Sequence, residues 1–210
     1  MDSIIRQHVI QELKESCEVK QKLLQETKIV SVIQEVAEKF VEVYGRGNKT
    51  LISGNGGSAS DAQHMAAELS GRFNFDRPGI PSIALSANTA ALTAIGNDYG
   101  YEKVFSRQVQ AYGNEGDLFF GISTSGNSLN ILEAVYECKN KGMTSIGLTG
   151  LSGHKLAAVC DYCIMVPSLS TPRIQECHIL IIHTICSIIE ESLFGHKFSQ
   201  FRHTQSLLNK

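Results

Sequence analysis

The sequence predicts an α/β fold: a single doubly wound parallel sheet of five strands flanked by helices, with a helical extension at the N-terminus. Three observations predict it. Five short apolar runs, at 51–53, 82–85, 117–123, 144–149 and 162–166, are spaced so that a helix fits between each pair, the pattern of a sheet wound with helices on both faces. The runs are apolar at neighbouring positions, as expected of strands covered on both sides. Before them, residues 2–44 contain no Gly or Pro and carry apolar residues at helical spacing.

In chain order, Ile4, Ile5, Val9, Ile10 and Leu13 form the first helical stripe. Val30, Val32, Ile33, Val36, Ala37, Phe40, Val41 and Val43 form the second, with a break at Glu26–Thr27. After Gly45 the apolar runs alternate with Gly/Ser/Asn clusters and helical patterns. The last element, Arg173–Leu193, is a helix apolar nearly all round, which predicts burial on more than one side and a place at a subunit interface. The tail after Gly195 is polar and expected to be loosely held. No repeat, low-complexity tract or linker interrupts the chain. The expected division is a helical extension over 1–34, one α/β domain over 35–194 and a polar tail over 195–210.

Composition narrows the function. With 210 residues, 42% hydrophobic and 19% charged, the chain can bury a core and is not disordered. A net charge of −2 argues against an electrostatic nucleic-acid or membrane binder. Six cysteines at irregular positions do not make a disulfide scaffold. The N-terminus lacks the apolar core of a signal peptide, and the apolar stretch Ile179–Ile189, interrupted by His183, Thr184 and Ser187, is about half a membrane span. A cytoplasmic, reducing compartment is expected.

Ligands of open α/β sheets bind at the C-terminal ends of strands, near a topological switch point. Two strand ends are equipped for this. The first reads LISGNGGSASDAQ, with Gly54, Gly56 and Gly57 around Asn55, and Ser58 opening a helix. The second reads FFGISTSGNSLN, with Ser123, Thr124, Ser125, Asn127 and Ser128 just before a helix. Hydroxyls and free amides converging on a helix N-terminus form an anion site without Lys or Arg. Turn and cap duties would explain one such hydroxyl; four within six residues exceed what capping needs, and point to phosphate. The first loop also fits G-x-G-x-x-A (Gly54, Gly56, Ala59), but Asp76, the acid about twenty residues on, falls before the second strand instead of at its end. No GK[ST] follows either, so nucleotide readings are weak.

His64 and Glu68 are four apart on a helix whose apolar stripe is Ala62, Met65, Ala66 and Leu69, so they share another face. An exposed pair worth a few tenths of a kcal/mol is the plain alternative. Gln175, Glu176, His178 and His183 lie among aliphatic residues of the last helix, where polar groups must be paired; spacing does not choose between the two histidines. Cys160-x-x-Cys163 has half-zinc-site or redox spacing, against which Cys163 falls within a predicted strand.

With these residues in view, the chain resembles the phosphoheptose (sedoheptulose 7-phosphate) isomerases of the sugar isomerase (SIS) domain family. The matching segments are SGNGGSASDAQHMAAELSGRF, AIGNDYGYEKVFSRQV, GDLFFGISTSGNS and RIQECHILIIH. STSGNS is shared by many phosphosugar binders; DAxHxxxEL with RIQExHxxxxH is far more discriminating. The resemblance implies a flavodoxin-like SIS domain whose N-terminal helices join a homotetramer. It implies substrate binding by Asn55, Gly56, Gly57, Glu68, Asn97, Asp98, Ser123, Thr124, Ser125, Ser128 and Gln175, with Glu68 and His183 as the acid/base pair. It places a zinc, one per subunit, on His64, Glu68, Gln175 and His183; Gln is a weak donor, so a labile ion is expected. Pro172 stands where some members carry an Asp before the Arg.

The activity so implied converts a ketose to an aldose phosphate through an enediol(ate): D-sedoheptulose 7-phosphate to D-glycero-D-manno-heptose 7-phosphate, ahead of nucleotide-activated heptose for bacterial surface glycans. The alternative is a non-catalytic phosphosugar-binding SIS protein with a regulatory or replication-initiator-associated role. Such relatives generally lack the Glu and His that this sequence has, and a nicotinamide enzyme ranks third.

Overall fold

The structure, a computed structural model, describes residues 2–195, so the polar tail beyond Gly195 lies outside the described residues. Two helices lead, α1 (Asp2–Gln25) and α2 (Thr27–Gly45), broken at Glu26 as the sequence predicts. There follow β1 (Thr50–Gly54), α3 (Gly57–Ser70), β2 (Ser82–Ala84), α4 (Thr89–Tyr99), a single 3-10 turn (Tyr101–Lys103) and α5 (Ser106–Tyr112). β3 (Leu118–Ser123), α6 (Leu129–Asn140), β4 (Thr144–Gly150), α7 (His154–Val159), β5 (Tyr162–Val166) and α8 (Thr171–Phe194) complete it.

All five strands pair in parallel, in the order β2-β1-β3-β4-β5. This is the flavodoxin-like order, whose switch point lies between β1 and β3. Successive strand side chains point to opposite faces, and adjacent phenylalanines show it: Phe120 joins the core with α2, α3 and α8, while Phe119 joins the core with α5, α6 and α7. Both faces are therefore covered, which is why the strands read as continuous apolar runs. β2, at an edge, is short and leaves Ile83 exposed.

α2 buries Val36, Ala37, Phe40 and Val43 of the predicted stripe, and Tyr44 besides, while Val30 at its start is exposed. On one side of α8, Ile174, Cys177, Ile181, Ile182, Ile185, Cys186 and Ile189 pack into the core beside α2, α3 and the sheet, while Leu180 is exposed in the single chain. α8 is long and apolar enough to cross a membrane by composition, but it is a core helix. Pro172 sits in its first turn, where a missing N–H costs nothing. Arg173 ties α8 to α1, donating to the Glu12 carbonyl and, at 2.8 Å, to its carboxylate. α1 leaves Ile4, Ile5, Val9, Ile10, Leu13 and Leu24 exposed.

Candidate active site

The loops following β1 and β3 flank the switch point. In the second, Gly126 has φ +62°, and a Cβ there would fall 2.4 Å from Gly153 Cα, so only glycine fits. The hydroxyls divide into two kinds. Ser123 Oγ accepts from the Gly126 N–H (3.1 Å) and Ser125 Oγ from the Asn127 N–H (3.2 Å), which are turn bonds. Ser128 occupies the N-cap position of α6, yet its hydroxyl caps nothing and bonds Ser123 Oγ at 3.0 Å. The N-cap explanation therefore fails for Ser128, and a hydroxyl beside the open first turn of α6 is free to serve an anion.

Asn55 is held by a residue the sequence reading missed. Buried Asn130, second on α6, exchanges two amide hydrogen bonds with it, each 2.9 Å, and the Tyr101 hydroxyl donates to Asn55 Oδ1 at 3.2 Å. The pair bridges the two loops. Nothing local marks Asn130, since its partner is 75 residues away; only a buried amide needing satisfaction could have hinted at it. Asn97 and Asp98 lie on the last turn of α4, exposed, and bond to one another at 2.8 Å. α4 buries no residue at all.

The second centre lies further along α3, beyond the seven residues from Gly57 to His64, about 10 Å of helix. His64 Nε2 is 3.1 Å from Glu68 Oε1, and His183 Nε2 is 3.2 Å from His64 Nε2. The ligand atoms of all three lie within 4.8 Å of one another. Phe73 places its ring 5.6 Å from the His183 imidazole. Two imidazoles and a carboxylate so arranged suit proton exchange, or a cation bound by His₂Glu.

The other histidine takes no part. His178 is fully buried on α8, neither ring nitrogen has a hydrogen-bond partner, and burial pulls its pKa down to about 4 despite the neighbouring Thr149 backbone. Asp61, by contrast, shares the His64–Glu68 face one turn earlier. Burial pushes its carboxyl up to about 6, opposed by His64, and its Oδ2 is buried without a partner. The helical spacing that puts His64 and Glu68 on one face also reaches Asp61.

A SIS-domain family model matches residues 15–150. A phosphoheptose isomerase of Aneurinibacillus thermoaerophilus is 56% identical over 198 residues, 94% of this chain and 98% of that one. The chain belongs to the phosphoheptose isomerases of the SIS-domain family. A second member, phosphoheptose isomerase 2 of Campylobacter jejuni, is 56% identical over 199 residues, covering 95% of this chain and 97% of its own. The solved phosphoheptose isomerase of Neisseria gonorrhoeae superposes with a TM-score of 0.84 at 43% identity, over 89% of this chain and 99% of that one.

In this phosphoheptose isomerase, Gln175 lies beside the loop that follows β1. Gln175 packs against Gly57: a Cβ at Gly57 would fall 2.4 Å from its Nε2. It precedes His183 by eight residues, about 12 Å along α8. All six cysteines are free. Burial pushes the Cys160 and Cys163 thiols up, against redox or metal duty.

Proposed function

We propose that the chain isomerises D-sedoheptulose 7-phosphate to D-glycero-D-manno-heptose 7-phosphate, with Glu68 and His183 carrying the protons. The observation that carries the reading is that α3 and α8 bring these two side chains, 115 residues apart in sequence, to one centre through His64. A distinct hydroxyl-lined loop lies at the switch point for the phosphate. An isomerase needs both, a distal anchor that positions the substrate and an acid/base pair at the reacting end.

In this reading Ser123, Thr124, Ser125 and Ser128, with the first turn of α6, hold the phosphate. Asn55, Gly56, Gly57, Asn97, Asp98 and Gln175 bind the rest of the sugar. Glu68 takes the proton from one carbon and returns it to its neighbour; His183 exchanges protons with the hydroxyl and carbonyl oxygens across the enediol(ate). Steps of this kind are each worth about 10²–10⁴-fold. His64, between them, orients both. The donor set also fits a zinc ion, with two imidazole nitrogens facing one carboxylate; held by His64, Glu68 and His183, it would supply polarisation of the carbonyl and stabilisation of negative charge on oxygen. The product would feed nucleotide-activated heptose synthesis in the cytoplasm. The exposed apolar residues of α1 support assembly into a homotetramer.

Incubation with sedoheptulose 7-phosphate, followed by NMR, tests the reading. Wild-type protein should form the aldoheptose phosphate. Glu68→Gln and His183→Gln should each lose at least about 10²-fold in kcat while remaining folded. Ser128→Ala should chiefly raise KM. Retained turnover in either acid/base variant would remove that residue from its role. Tight sugar-phosphate binding without wild-type turnover would favour the regulatory alternative.

A further inference from the structure

Arg77 and Glu190 form an ion pair sealed from solvent. Arg77 Nε lies 3.1 Å from Glu190 Oε1, with the side chains 1% and 0% exposed. Two charges in such a place are costly unless hydrogen bonds compensate them, and here those bonds go to the end of α3 and to the segment 71–78 that follows it. The terminal nitrogens of Arg77 donate to the carbonyls of Glu68 (2.8 Å), Leu69 (2.6 Å), Gly71 (3.0 Å) and Pro78 (3.1 Å). The first two belong to the last turn of α3, whose carbonyls have no partners within the helix, and the cation sits at the negative end of the helix dipole. One of the peptides so gripped is that of Glu68 itself.

Glu190 works on the other side. Besides Arg77, it accepts from the N–H groups of Phe73 (2.8 Å) and Asn74 (2.6 Å). It follows His183 by seven residues, two turns along the same face of α8. Phe73, pinned by Glu190, is the residue whose ring lies against the His183 imidazole. One buried pair thus holds the last turn of α3, the segment 71–78 and the stretch of α8 beyond His183.

We propose that the Arg77–Glu190 pair is a positioning device that sets the separation of Glu68 and His183. Both residues act through the acid/base pair and the packing of Phe73, without touching the reacting atoms. A buried pair is a poor source of stability, since apolar side chains of similar volume usually hold a fold as well; its geometry is what an apolar replacement cannot reproduce. The proposal rests on Glu68 and His183 being the acid/base pair, so the test includes a geometric readout that does not depend on turnover.

The variants are Glu190→Gln, which keeps the shape but places an NH₂ where a carboxylate oxygen accepts, and the double variant R77M/E190M, which replaces the pair with apolar side chains. Each is measured below its own unfolding transition, followed by circular dichroism. In ¹³C-histidine-labelled protein the His183 ring signals, assigned with His183→Gln, should move in both variants. In the same samples kcat should fall about 10–100-fold, with KM for the sugar phosphate within about threefold, because the phosphate loop on β3 and α6 is not held by this pair. His183 signals unmoved in folded variants overturn the proposal, whatever the rate does. Signals that move while kcat stays at the wild-type value uphold the positioning contact and instead overturn the acid/base assignment.

Discussion

His178 lies in the core with both ring nitrogens unpartnered, although it shares a helix with a histidine that reaches solvent. Its pKa in the folded protein, about 4, is below the ordinary 6.5 because burial disfavours the charged ring. The unfolded chain therefore takes up this proton first as the pH falls. Stability held above pH 6.5 is lost between 6.5 and 4, by up to about 3 kcal/mol. His178→Leu removes both the titration and the unpartnered nitrogens. The variant should be at least as stable as wild type at pH 7 and should lose less on going to pH 4.5, as thermal unfolding at the two pH values would show; parallel losses in the two proteins would contradict it. Asn130 illustrates the opposite outcome for a buried polar group. Its amide is doubly paired to Asn55, so its burial is compensated and it orders a loop of the site.

At the scale of elements, α1 is the least self-sufficient. Val19 and Leu23 reach the core, and Glu12, Ser16 and Lys20 meet Arg173 and Glu176 of α8, but Ile4, Ile5, Val9, Ile10 and Leu13 face solvent in the single chain. A run of large apolar residues on one helix marks an interaction surface. If α1 carries the self-association, the triple variant I5S/V9S/L13S should shift the assembly toward smaller species in analytical ultracentrifugation while the circular dichroism of the fold persists; an unaltered sedimentation profile would place the interface elsewhere. The boundaries of α1, α2 and all five strands were legible in the sequence because they depend on local periodicity, and each strand run matches its observed strand to within one residue at either end. The last helix reads in the sequence as apolar nearly all round, and in the single chain it packs on several elements while Leu180 stays exposed. Its buried side is covered by α1, α2, α3 and the sheet, and that depends on the packing of elements far apart in sequence.

For the whole molecule, the His64, Glu68 and His183 centre joins two helices that the chain reaches more than a hundred residues apart. An ion held there would crosslink α3 to α8 in the native state only, and would stabilise it by about 2.7 kcal/mol at a concentration 100 times the dissociation constant. Zinc added to chelator-treated protein should raise Tm, and His183→Ala should abolish the rise. An equal rise in the variant would locate the zinc at other residues.

The sequence by itself determined what local chemistry determines: strands from continuous apolar runs, helices from 3.6-residue spacing, the hydroxyl-rich turn before α6, and the shared face of His64 and Glu68. Resemblance added the choice of His183. Only the tertiary structure decided that His183 meets His64 while His178 is buried, that Asn130 holds Asn55, that Arg77 and Glu190 bind the two helices together, and that Gln175 packs against Gly57. Each of these pairs distant residues, and a side chain's partner across the fold depends on how helices rotate and stack against the sheet. The spacing of residues along the chain carries no record of that rotation.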